Sequence, residues 1–288
     1  MHPTRSALLI PCLFCACVAG CTGGHSGGAA AGNGPSVAPE VAPTGADAAT
    51  GASDARAQMP SNAVSPAPGA SSRPSDLPPV TVHLAGDSTV MNYPATTVQE
   101  GWGQEFGQFF NDKVTIDNQA IGGANVQSFK SGSWSRIIAR LKAGDYVLIQ
   151  FGANDSGTAH GPVTPVDFAA TLGQMTDEVR ARAATTIFVT PSAFYQWSNG
   201  KEDNARLAPY AAAMLSEGAA KSVLVADLNA RGVELLNSIG QTAATPLYLP
   251  SRGTTDKAHF LKAGAIKMAQ LTAGELRRIH SPLAAYLK

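Results

Sequence analysis

Ser88 sits in the stretch VHLAGDSTV (82–90), where a short apolar run stops abruptly at Gly86-Asp87-Ser88. Gly, Asp and Ser are all turn formers, so a plain turn explains the stop. A nucleophile held at the end of a strand explains it equally well. A serine hydroxyl attacks an ester only with a base to take its proton, a group to orient that base, and donors for the oxyanion. Histidine suits the base, since its side chain titrates near neutrality. Of the six histidines, His2 and His25 belong to the leading segments and His83 falls inside a strand pattern. His160 lies in a loop rich in Gly and Pro, and His280 is near the terminus. His259 remains, in TTDKAHFLKAGA, with Asp256 three positions earlier. At the turn into a last helix, residues i and i+3 share one side, so Asp256 could hold Nδ1–H while Nε2 faces Ser88. An Asp256 N-cap beside a surface histidine is the other reading of the same pair.

Oxyanion donors are peptide N–H groups or side-chain amides. Gly123, in IGGAN, permits close backbone approach and unusual dihedrals, and also fits an ordinary turn. Asn154, in FGAND, offers an amide that can donate where a carboxylate could not. An Asx-turn or a helix cap is the alternative there, and it suits Asp155 better. Two tryptophans are candidate sugar contacts. Trp102, in GWGQ, either walls a pocket or packs a helix start against the core. Trp197 lies in the polar, aromatic stretch FYQWSNGKEDN.

These residues need elements to carry them. Five apolar runs, VTVHLA (80–85), VTIDNQA (114–120), DYVLIQF (145–151), TIFVT (186–190) and VLVADL (223–228), read as strands. Stretches with helical spacing lie between them at 101–112, 134–142, 165–184 and 203–220, and a last helix covers 261–278 after a less regular region. The alternation predicts an α/β fold of three layers (α/β/α) around a five-stranded parallel sheet. In such sheets, sites form at the carboxyl ends of strands. Ser88, Gly122-Gly123 and Asn154-Asp155 end the first three strands, and Thr190-Pro191-Ser192 ends the fourth. That convergence argues against Ser88 as a turn residue alone.

Composition divides the 288-residue chain unevenly. Equal numbers of basic and acidic residues, 21 each, give no electrostatic ground for a nucleic-acid partner. Residues 1–21 read as an export signal, with Arg5 before the apolar run ALLIPCLFCACVA. The closing VAGC resembles a bacterial lipobox, which implies cleavage before Cys21 and its lipidation. Thr22, rather than aspartate, follows that cysteine, which points to an outer-membrane anchor. The expectation is therefore an exported lipoprotein that meets the membrane only through its lipid. Residues 22–79, rich in Ala, Gly, Pro and Ser, read as a disordered tether. Its GHSGG (24–28) matches a nucleophile-elbow pattern but lacks the flanking strand and helix that the elbow requires. Residues 80–288 remain as the catalytic domain. All four cysteines (12, 15, 17 and 21) precede it, which excludes a thiolate nucleophile, a disulfide or a sulfur-ligated metal there.

Four blocks, AGDST, NQAIGGANVQSF, IQFGAND and DKAHF, resemble in order and spacing those of the SGNH hydrolases, the GDSL esterase superfamily. The resemblance implies a flavodoxin-like sheet, Ser88 as nucleophile, and Asp256 and His259 as its triad partners. It also implies an oxyanion hole from the Ser88 and Gly123 N–H groups and the Asn154 amide. GDSTV, GWGQEF, AGDYVLIQFG, TPSAF and DKAHFLKAGA are most similar to the rhamnogalacturonan acetylesterase group. That group deacetylates the sugars of pectin with neither cofactor nor metal, so the implied partner is an acetylated polysaccharide. Two positions depart from it: Ala124-Asn125 replace an Arg-Ser pair, and Ala153 replaces a histidine. Three rivals share the scaffold: an esterase or lipase for small acyl esters, an envelope-glycan O-acetyltransferase, and a non-catalytic carbohydrate binder. By analogy with serine proteases, Asp256→Asn is expected to fail through the wrong imidazole tautomer.

Overall fold

Strand-forming runs with no interior charge should bury both faces, and the central ones do. The computed structural model describes residues 77–157, 161–251 and 253–288. The expected signal segment with Cys21, the tether up to residue 76, and His160 lie outside them. The chain opens with β1 (Val80–Gly86), the two-residue β2 (Gln99–Glu100), the four-residue helix α1 (Trp102–Glu105) and β3 (Val114–Asn118). Helices α2 (Val126–Ser131) and α3 (Trp134–Arg140) lead to β4 (Tyr146–Gln150). Next come α4 (Pro165–Arg180), β5 (Thr185–Val189), the hairpin of β6 (Trp197–Ser198) and β7 (Lys201–Glu202), α5 (Ala208–Lys221) and β8 (Leu224–Ala226). The last elements are α6 (Leu228–Ala244), β9 (Tyr248–Ser251), β10 (Thr254–Leu261) and α7 (Lys262–Arg278).

The five expected strands form one parallel sheet in the order β3-β1-β4-β5-β8. This is the flavodoxin-like order, with the topological switch beside β1. Successive side chains along a strand point to opposite faces, and the core splits accordingly. Val82, Leu84, Leu148, Ile187 and Val189 pack with Trp102, Leu236, Met268 and Leu276 on one side. Val147, Ile149 and Phe188 pack with Phe129, Ile137, Phe168, Leu172 and Met214 on the other. His83 is the sheet histidine expected: it is buried, with Nδ1 2.9 Å from Asp117 Oδ2 and Nε2 3.4 Å from Asp145 Oδ2.

Besides the short helix α2 and the β6–β7 hairpin, three regions depart from the sequence reading. The helix expected over 101–112 is only α1 followed by a 3₁₀ turn at Phe106–Phe109. Gly103 explains part of this, because a Cβ there would lie 2.5 Å from the Val90 carbonyl, so the segment is shaped by backbone contact. The less regular region contains α6, capped by the Asp227 side chain on the Ala230 N–H and broken at Gly240, whose φ is +79°. Finally, β10 precedes the last helix and forms a small antiparallel sheet with β2 and β9. Among the described residues, no helix is long and apolar enough to cross a membrane.

Candidate active site

Beyond β1 the chain turns at once, with the N–H groups of Val90 and Met91 both donating to the Asp87 carbonyl at 3.1 Å. The Thr89 N–H donates to the Asp87 carboxylate at 2.9 Å. Ser88 is thereby held on the crest of the turn, half-buried, at the carboxyl end of the sheet. Its carbonyl accepts from the Tyr93 hydroxyl at 2.9 Å, and that hydroxyl accepts from Gln99 Nε2 at 2.6 Å. Burial, then the nearby Asp87 charge, push the Tyr93 phenol up to about 12, so it remains a donor at any working pH. Burial likewise raises the Asp87 carboxyl, against the opposing bonds from Thr89.

The far end of the chain reaches this turn. His259 Nε2 lies 2.9 Å from Ser88 Oγ, and His259 Nδ1 lies 3.1 Å from Asp256 Oδ1. The three-residue spacing works, but a helical turn does not produce it. Both residues belong to β10, whose pairing with β9 loses register between Thr255 and Phe260. In that irregular stretch Asp256 Oδ1 accepts the N–H groups of Ala258 and His259 at 2.7 and 2.8 Å. The expectation of an i, i+3 helical pair is corrected accordingly. Asp256 is also not the cap of α7, since Leu261 holds the N-cap position. Burial alone would raise the Asp256 carboxyl, yet the two backbone N–H groups and the imidazole hold it below the usual carboxylate range.

The turns after β3 and β4 complete the site. Gly123 has φ +78°, the left-handed region that favours glycine. Neither its N–H nor that of Ser88 meets an acceptor among the described residues. Asn154 Nδ2 donates to the Ala124 carbonyl at 3.0 Å, which fixes the amide beside Gly123 and leaves its second N–H for another acceptor. Asp155 ties the two turns together, accepting from Gly152 N at 2.8 Å and Val126 N at 2.9 Å. That is the cap-like role its residue type suggested. Burial drives its carboxyl up to about 6 despite those donors, with the Asp87 charge adding to the rise. Asn125 caps α2 in a reciprocal arrangement with Ser128. Beside Gly123 lies an open groove of about 400 Å³, lined by Ile121, Gly122, Ala124 and Phe129.

Of the two readings of Trp102, burial supports helix-start packing and rules out the pocket wall. Trp102 is only 1% exposed, so it has no ring face for a sugar; its indole N–H donates to Gln150 Oε1 at 2.7 Å. Trp197 is half-buried, 6.0 Å from the Tyr195 ring, and lines a separate groove with Gln196 and Lys257. Sequence reasoning passed over Thr89, Tyr93 and Gln150. Gln150 alone carried a signal: it is the one polar side chain in the otherwise apolar strand YVLIQ.

Residues 84–265 match the model of the GDSL-like lipase/acylhydrolase family. The chain is 33% identical over 220 residues to a rhamnogalacturonan acetylesterase of Bacillus subtilis, covering 73% of this chain and 94% of that one. A crystal structure of the B. subtilis protein YxiM shares 29% identity with a TM-score of 0.64, covering 71% of this chain but only 58% of that protein. An acetylxylan esterase from Geobacillus stearothermophilus has the same fold, with a TM-score of 0.52 at 17% identity, over 70% of this chain and 94% of that one.

Proposed function

Because the chain belongs to the GDSL-like lipase/acylhydrolase family and is thereby a carboxylic ester hydrolase, we propose that it removes acetyl groups from a plant cell-wall polysaccharide, rhamnogalacturonan or a related pectin. The observation that carries the catalytic part is the continuous line Ser88 Oγ–His259 Nε2, His259 Nδ1–Asp256 Oδ1, beside the N–H groups of Ser88 and Gly123 and the Asn154 amide. The substrate part leans on the named specificity of the B. subtilis relative. In the same reading Cys21 carries a lipid that tethers the exported enzyme to the outer membrane.

Catalysis proceeds in two halves. Ser88 Oγ attacks the ester carbonyl while His259 Nε2 accepts its proton, and Asp256 stabilises the imidazolium. The carbonyl oxygen gathers negative charge against the Ser88 and Gly123 N–H groups and the second N–H of Asn154. As that intermediate collapses, the C–O bond to the sugar breaks and His259 returns the proton to the departing hydroxyl. Water then attacks the acetyl-serine carbonyl as His259 takes its proton; the C–O bond to Ser88 Oγ breaks, His259 returns that proton to Oγ, and acetate leaves.

The test is acetate release from acetylated pectin, acetylated xylan and acetylated peptidoglycan by residues 77–288, with Ser88→Ala as control. Ser88→Ala should lose about 10⁶ in kcat. Activity on pectin that survives in this variant overturns the site, and release from xylan or peptidoglycan but not pectin overturns the polymer. Transfer of acetyl to an added acceptor glycan, detected by mass, would reassign the enzyme as a transferase.

A further inference from the structure

Beneath Ser88 runs a chain of buried polar groups that the reaction itself does not use. Trp102 Nε1 donates to Gln150 Oε1 at 2.7 Å, Gln150 Nε2 donates to Thr89 Oγ1 at 2.6 Å, and Thr89 Oγ1 donates to Asp87 Oδ1 at 2.7 Å. An indole nitrogen can only donate, so it fixes which end of the Gln150 amide faces it. The amide nitrogen must then face Thr89, whose oxygen accepts from it and whose single proton is left for Asp87. Every proton in the chain thus has one direction, set by Trp102. All four side chains are at most 2% exposed, so water cannot replace any member.

Two backbone contacts extend this arrangement to the base. The Trp102 N–H donates to the Thr89 carbonyl at 2.9 Å. Just before it, Gln99 and Glu100 of β2 pair with Leu261 and Phe260 of β10, next to His259. The stretch 99–102 therefore grips the nucleophile turn at one end and the histidine strand at the other. A buried polar chain contributes less to stability than apolar packing of the same volume, and here it still leaves Asp87 Oδ2 without a partner among the described residues. Stability alone does not account for it.

We propose that Trp102, Gln150 and Thr89 are positioning residues that act through Asp87 to hold Ser88 at hydrogen-bonding range of His259. The proposal rests on the reading of Ser88 as nucleophile, and the two are tested separately. Thr89→Val keeps the side-chain shape but removes the hydroxyl, while Thr89→Ser keeps the hydroxyl. With an aryl acetate, Thr89→Val should lose about tenfold or more in kcat with KM changed less than about twofold, the loss of the hydroxyl's two buried hydrogen bonds expressed in geometry. Thr89→Ser should recover to within about threefold of the parent. The burst of aryl alcohol that reports acylation of Ser88 should slow in parallel with kcat. An unchanged kcat in a folded Thr89→Val enzyme, or equal losses in both variants, overturns the proposal. Should Thr89→Val not fold, Trp102→Phe removes the first donor together with part of the buried ring; the same kcat loss with KM changed less than about twofold supports the proposal and an unchanged kcat overturns it. Turnover in Ser88→Ala within about tenfold of the parent would instead overturn the nucleophile assignment.

Discussion

One oxygen of Asp256 accepts three donors, the N–H groups of Ala258 and His259 and the imidazole Nδ1–H. An asparagine at 256 can place its amide oxygen at the same point, so the imidazole keeps its tautomer and only the charge opposite the imidazolium is lost. A unit charge pair at this range is worth about 4 kcal/mol near a protein surface, so Asp256→Asn should cost about 10³ in kcat. This is less than the ~10⁴ expected when the tautomer is wrong. Asp256→Ala also frees the two backbone N–H groups and should be worse; the ratio of the two kcat values checks the point. Asn154→Ala should lose about 10² to 10³ in kcat with little change in KM, measured by steady-state kinetics. At this scale the sequence was informative because Ser88, Gly123 and Asn154 stand just beyond strand ends, and Asp256 and His259 are set apart by residue type and spacing. Supporting groups carry no such mark: Thr89 looks like any turn residue, and an indole beside glycines resembles a pocket wall until its burial is seen.

Elements are governed by what their backbones touch. Two glycines of α7 make the contrast. A Cβ at Gly264 would fall on the Leu247 carbonyl, whereas one at Gly274 meets nothing within 4 Å. Helix propensity favours Ala over Gly by about 1 kcal/mol at both positions. Gly274→Ala should therefore raise the melting temperature by a few degrees, while Gly264→Ala should lower it despite the same intrinsic gain; thermal unfolding by circular dichroism distinguishes them. The parallel strands were legible because long apolar runs of β-branched residues permit little else. α6 was not, although Leu228, Gly232 and Leu236 fall on one buried stripe with a spacing of four before the break at Gly240. Two glycines and scattered polar residues dilute that stripe. β10 was hidden for another reason: its hairpin with β9 is irregular, its other partner β2 is distant in sequence, and its own sequence reads equally well as a helix approach.

The molecule as a whole carries a buried carboxylate away from the site. Glu202, paired across the hairpin with Trp197, has neither oxygen hydrogen-bonded among the described residues. Burial first, then the neighbouring Asp203 charge, raise its carboxyl to about 7. A raised carboxyl favours the folded state while protonated, so this contribution is complete below the ordinary Glu value and is lost as pH rises through about 7. Glu202→Gln should accordingly leave the melting temperature unchanged near pH 4 and raise it by a few degrees at pH 8, a gain of about 1–2 kcal/mol. Scanning calorimetry at the two pH values checks both sign and window. The ends of the fold have a consequence of their own. The Tyr286 hydroxyl donates to the Pro78 carbonyl at 2.9 Å, and the Lys288 N–H donates to the Phe109 carbonyl at 3.0 Å. Pro78 and Lys288 thus lie at the edge opposite the end of the sheet that carries Ser88. A circular permutant that splices Lys288 to Leu77 through a few glycines, and opens the chain at the exposed Asn199–Gly200 tip, should keep its turnover. Residues joined at either position would hang clear of the Ser88–His259 pair.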